Sequence, residues 1–100
     1  MSHAPKVYLV CYDMCDDARG RAVYKTMRGY GDHVQYSVFR CVLSDIQLAT
    51  LRDRLMNLLR HDEDQVLFVP LGSADSARAW EATTLGLPLA HPERVVRVIM

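Results

Sequence analysis

The side chains best suited to chemistry crowd into one stretch. VYLVCYDMCDDARGR, residues 7–21, begins as an apolar run and then delivers Asp13, Asp16, Asp17, Arg19 and Arg21. A carboxylate at the end of a buried strand beside an arginine has two uses. It can form a structural ion pair, or it can bind a divalent cation while the arginine steadies a phosphate. Asp13 is the candidate acid and Arg19 the candidate partner, and residue types alone leave both uses open. A single acid per chain makes a poor magnesium site, but two-fold symmetry can bring Asp13 of two subunits to one ion.

The histidines and cysteines offer no competing centre. His3, His33, His61 and His91 are scattered without ligand spacing, and Cys11, Cys15 and Cys41 contain no CxxC pair, so a zinc site is not expected. The cysteines read as reduced, buried packing residues of a cytosolic protein. Further along, Arg21, Lys25 and Arg28 fall on one side of a helix drawn at about 100° per residue, away from Val23, Met27 and Tyr30. Arg19 projects instead with Val23 and Thr26, toward the sheet. Such a basic stripe is either a solvated face or, doubled across a dimer, a track for phosphates. Tyr12, Tyr36 and Phe39 could stack on bases, although aromatic residues in strands more often pack in a core or interface.

These residues need elements to hold them. Val7 to Tyr12 predicts a strand buried on both faces. Asp16 and Asp17 supply the N-cap and first-turn charge for a helix from about Ala18 to Met27, and Gly29 and Gly31 punctuate its end. Val34 to Leu43 is rich in strand formers and predicts two strands with a sharp bend near Tyr36 and Ser37. Ser44 and Gln47 make a capping box that opens a helix to about Arg60, with Leu48, Leu51, Leu55, Leu58 and Leu59 as its apolar stripe. Gln65 to Leu71 predicts another strand, with Pro70 near its end, as expected at a strand terminus or edge.

The order βαββαβ predicts an α+β, ferredoxin-like domain with both helices on one face of an antiparallel sheet. Residues 1–71 form this core. Residues 72–93 read as a connector with a helical turn around Ala77 to Glu81, and Arg94 to Met100 as a final strand. Two helices cover one sheet face, yet the first strand alternates Val7, Leu9 and Cys11 with Tyr8, Val10 and Tyr12. The uncovered face calls for a partner, most simply a second copy of the chain. A connector of roughly twenty residues, at about 3.3 Å each, permits the last strand to be exchanged between subunits of this homodimer.

Composition narrows the class without naming a function. One hundred residues, half of them hydrophobic, support one domain with a modest core. Twelve basic residues balance twelve acidic ones, so nucleic-acid binding must come from local charge segregation. MSHAPK at the N-terminus has no hydrophobic signal core and no apolar run reaches membrane-spanning length. A cytoplasmic protein with no membrane partner is expected.

The motifs also match in order. YLVCYDMCDDARGRAVYKTMRGYGDHVQYSVFRCVLS closely resembles the amino-terminal half of the CRISPR-associated protein two family, the smaller of the two universal spacer-acquisition proteins. LSDIQLATLRDRLMNLLRHDEDQVLFVPL continues the resemblance over about seventy residues, and the tail after Gly72 matches less well. The resemblance implies a ferredoxin-like homodimer whose last strand lies on the partner's sheet. It implies a DNA-binding scaffold that bridges dimers of the CRISPR acquisition integrase, or a metal-dependent endonuclease acting on RNA or double-stranded DNA. By matching position, Asp13 would bind Mg²⁺ or Mn²⁺ with its symmetry mate, Arg19 and Arg21 are the basic positions, and Tyr12, Ser37 and Phe39 are supporting positions. Cys15 stands where a serine is expected.

Overall fold

The computed structural model describes residues 4–75, 82–88 and 97–98. Strand β1 (Lys6–Asp13) leads into helix α1 (Asp17–Arg28), followed by β2 (Gly31–Gln35), β3 (Val38–Leu43), α2 (Asp45–Met56) and β4 (Gln65–Ser73). These strands form one antiparallel sheet in the order β2-β3-β1-β4, which is the ferredoxin-like arrangement. Among the described residues no helix is long and apolar enough to cross a membrane.

Both helix starts follow from their caps. Asp16 accepts a hydrogen bond from the Arg19 backbone N–H at 2.9 Å. Ser44 and Gln47 form the reciprocal capping box, each side chain bonding the other's backbone N–H. Helix α2 stops at Met56, four residues before the expected end, with Asn57 as its C-cap. Leu58 and Leu59 still pack on the core from the turn beyond it.

The core forms where the helices meet one face of the sheet. Tyr8 and Val10 from β1, Phe39, Cys41 and Leu43 from β3, Val23 and Met27 from α1, and Leu51 and Leu55 from α2 make one buried cluster. The other face follows from the register. Val7 lies opposite Val42, Leu9 opposite Arg40 and Val69, and Cys11 opposite Val38 and Leu67. Among the described residues no helix covers this face, and although Val7 is buried at one end of it, Leu67 and Val42 remain 52% and 37% exposed.

Strand β4 runs past Pro70 to Ser73. It lies at a sheet edge, where a residue without an N–H is tolerated. The connector also holds more regular structure than expected, because β5 (Thr83–Thr84) pairs in parallel with β6 (Arg97–Val98). Within the single chain these two residues of the final strand therefore bond to the connector rather than to the four-stranded sheet. The helical turn expected around residues 77–81 lies outside the described residues, as do the remaining residues of the expected final strand.

Candidate functional site

The carboxyl end of β1, the first turns of α1 and the β2–β3 turn enclose an open cleft of about 580 Å³. Tyr12, Asp13, Met14, Asp16, Asp17, Gly20, Arg21, Tyr24 and Ser37 line it. The alternation of β1 sends Tyr12 toward the core and Asp13 away from it. The Tyr12 ring rests on Phe39 at a centroid distance of 6.3 Å, and its backbone N–H donates to the Ser37 carbonyl at 3.0 Å. Burial raises the Tyr12 phenol above its ordinary range, while a side-chain hydrogen bond with Ser37 pulls the other way.

Asp13 is exposed at the mouth of this cleft. No side-chain bond or ion pair engages its carboxylate among the described residues. Asp16 is already committed, because one of its oxygens caps α1. No group of three His, Cys, Asp or Glu residues suited to a metal occurs among the described residues. The donor set of one subunit thus fits no closed protein cage. It suits half of a hydrated Mg²⁺ or Mn²⁺ site, since such ions keep several waters and take one or two carboxylates.

Arg19 does not face Asp13 as the sequence suggested. Its Nε donates to Asp64 Oδ2 at 2.8 Å, and its Nη2 donates to Glu63 Oε2 at 2.8 Å and Asp64 Oδ1 at 3.3 Å. Asp64 also accepts from the backbone N–H groups of Cys15 and Arg60, each at 2.9 Å. Its side chain has no exposed surface. A buried carboxylate is tolerable only with such a donor set, and these bonds, led by that from Arg19, hold its pKa well below the ordinary carboxylate range. The same pairing raises the Arg19 pKa.

This clamp went unseen in the sequence. Asp64 lies 45 residues from Arg19, in HDED, a segment whose composition signals only a polar turn. Its spacing of four from Arg60 is the lone local hint. Cys15 also departs from expectation. It is exposed rather than buried, with its Sγ bonded to the Glu63 carbonyl at 2.9 Å. Cys41 is buried as expected, and burial pushes its thiol up to about 12.

The remaining candidates fall into two groups. Arg21, Lys25 and Arg28 are all exposed on α1, opposite buried Val23 and Met27. Arg21 also lines the cleft, so the basic stripe begins at its wall. Phe39 is completely buried, with Tyr24 edge-on at 5.5 Å and the His33 ring at 5.0 Å. It supports Tyr12 through packing.

Residues 6–79 match the family model described as CRISPR associated protein Cas2. The chain belongs to this family. A CRISPR-associated endoribonuclease Cas2 of Thermodesulfovibrio yellowstonii is 44% identical over 64 residues, covering 64% of this chain and 70% of that one. Another, from Rhodospirillum rubrum, is 42% identical over 74 residues, covering 74% and 72%. The crystal structure of Streptococcus pyogenes Cas2 superposes with a TM-score of 0.62 at 31% identity, covering 66% of this chain and 86% of that one. A hypothetical protein from Thermus thermophilus gives a TM-score of 0.69 at 31% identity, covering 83% and 93%. Membership in Cas2 gives this chain a CRISPR-associated role.

Proposed function

We propose that this Cas2 chain is a homodimeric nucleic-acid-binding scaffold of spacer acquisition, which holds duplex DNA and bridges the acquisition integrase. The observation that carries this proposal is the exposure of Arg21, Lys25 and Arg28 together on one helix face, with no ion pair among the described residues to neutralise them. Two copies packed through their helix-free sheet faces double that stripe. The outer edge of β4 is where the terminal strand of a second copy would add by backbone pairing. Arg19 serves differently in this scheme. Held by Asp64 and Glu63, it fixes the loop between Asp13 and α1.

A second reading is favoured by Asp13 itself, an exposed and unengaged acid beside Arg21 and Ser37. Paired across the dimer, two Asp13 carboxylates would hold Mg²⁺ or Mn²⁺, and the chain would be an endonuclease acting on RNA or double-stranded DNA. The names of its relatives support this reading. When bound, the cation would supply charge neutralisation at a phosphoryl oxygen and acidify a water. Arg21, at the cleft wall, would orient the phosphate.

Binding and cleavage separate the two. The purified chain should bind duplex DNA at low salt, more tightly with the integrase, and lose affinity steeply as salt rises. No affinity at low salt, with or without the integrase, would end the scaffold reading. Incubation of labelled RNA and duplex DNA across a Mg²⁺ and Mn²⁺ series, with Asp13→Asn in parallel, tests the nuclease. Cleavage abolished in Asp13→Asn with folding and DNA binding intact supports it, whereas cleavage that survives, or is absent from the unsubstituted protein, removes it.

A further inference from the structure

Of the three aromatic residues that could meet a base, the fold leaves one available. Phe39 is fully buried and the Tyr12 ring is half-buried against it. Tyr36, at the tip of the β2–β3 hairpin, is 88% exposed.

Two features distinguish Tyr36 from an ordinary surface tyrosine. Its φ of 43° is the only positive value at a non-glycine residue among those described. The left-handed region is unfavourable for a bulky side chain, and Asn or Gly would make the same turn at lower cost. The turn therefore does not call for an aromatic ring, and a ring so exposed adds little packing. The second feature is an anchor. The His33 ring meets the Tyr36 carbonyl at 2.6 Å, and because a carbonyl only accepts, Nε2 carries the proton. His33 itself packs edge-on to Tyr24 at 5.3 Å and beside Phe39 at 5.0 Å. The backbone beneath Tyr36 is thus fastened to the core while the ring stands in solvent, which lowers the ordering cost of a contact.

Position gives the ring a target. Ser37, the next residue, lines the cleft that holds Asp13 and Arg21. We propose that Tyr36 is a base-stacking platform at the rim of the Asp13 cleft, engaging an unpaired base of a nucleic-acid strand whose phosphates follow Arg21. This inference rests on the nucleic-acid-binding function proposed above. It adds a selectivity to it, because a base inside a duplex is already stacked on both faces and only an unpaired or terminal base can offer one to a tyrosine.

The test measures binding of the full-length chain to a short single-stranded oligoadenylate carrying a fluorescent adenine analogue, and to a blunt duplex, both in chelator so that nothing is cut. Tyr36→Phe keeps the ring. Tyr36→Asn removes it while tolerating the left-handed backbone, and circular dichroism checks its fold. Tyr36→Asn should weaken single-strand binding by on the order of tenfold or more and relieve the quenching of the analogue. Tyr36→Phe should bind and quench like the unsubstituted chain, and the salt slope should not change, because phosphate contacts set it. Equal single-strand affinity in Tyr36→Asn would overturn the platform and leave nucleic-acid binding standing. A loss shared equally by the duplex, with a shallower salt slope, would also overturn it, as an effect on phosphate contacts. Failure of the unsubstituted chain to bind the single strand would overturn the platform, and failure to bind either probe both alone and with the integrase would remove the parent function as well.

Discussion

Asp64 joins the loop after β1, the first turn of α1 and the turn before β4 through one buried carboxylate. Its donors require the ionised form, so its folded pKa lies below its unfolded one. The sign follows directly. The unfolded state binds a proton more readily, and the stability that Asp64 contributes is complete above the unfolded pKa and is lost as pH falls toward the folded one. Thermal unfolding between about pH 6 and pH 2 should therefore show a fall in Tm below the ordinary carboxylate range. Asp64→Asn should unfold earlier at neutral pH, show a shallower acid slope, and approach the parent protein at the acid end. Parallel pH profiles for the two proteins would mean that other carboxylates control acid unfolding.

At the scale of elements, the approach of β2 to β3 is set by Gly31. It lies opposite Cys41, and a Cβ there would run into the Arg40 carbonyl oxygen and the Cys41 sulfur. Backbone cannot retreat as a flexible side chain can, and Cys41 is itself locked in the core. Gly31→Ala should destabilise the domain by about 1–3 kcal/mol, read as a lower urea midpoint with an unchanged m-value. An unchanged midpoint would show that the β2 edge yields without cost. The glycine was legible in sequence only as helix punctuation, because close approach between strands leaves no local trace. Local chemistry was legible: Asp16 as a cap, the Ser44–Gln47 box, and the bend at Tyr36 and Ser37 all lie where short-range rules put them. The Arg19–Asp64 bond and the exposure of Cys15 depend on elements meeting across more than forty residues, which no periodicity records. Pro70 was consistent with a strand terminus or an edge, and the edge holds, since β4 is an edge strand that continues beyond it to Ser73.

At the scale of the molecule, the sheet face opposite α1 and α2 calls for cover. Leu67 is the most exposed of its apolar residues at 52%, lying opposite Cys11 on β1. Val69 on the same strand, Leu9 on β1 and Val38 on β3 share the face, half-buried. A lysine at position 67 can keep its ammonium in water in a lone chain, but in a face-to-face dimer that charge would be buried without a partner. Leu67→Lys should therefore fold normally by circular dichroism yet sediment as a monomer under conditions where the parent chain is a dimer. Burying that charge without a partner costs about 2 kcal/mol or more, a rise in the dimer dissociation constant of roughly thirtyfold. The same variant should bind duplex DNA with a shallower salt dependence, because a monomer presents one α1 stripe where the dimer presents two. If Leu67→Lys remains dimeric, the subunits meet elsewhere. Pairing of Asp13 across this face would then lose its geometric basis, while the cleft and its basic wall would remain intact in each chain.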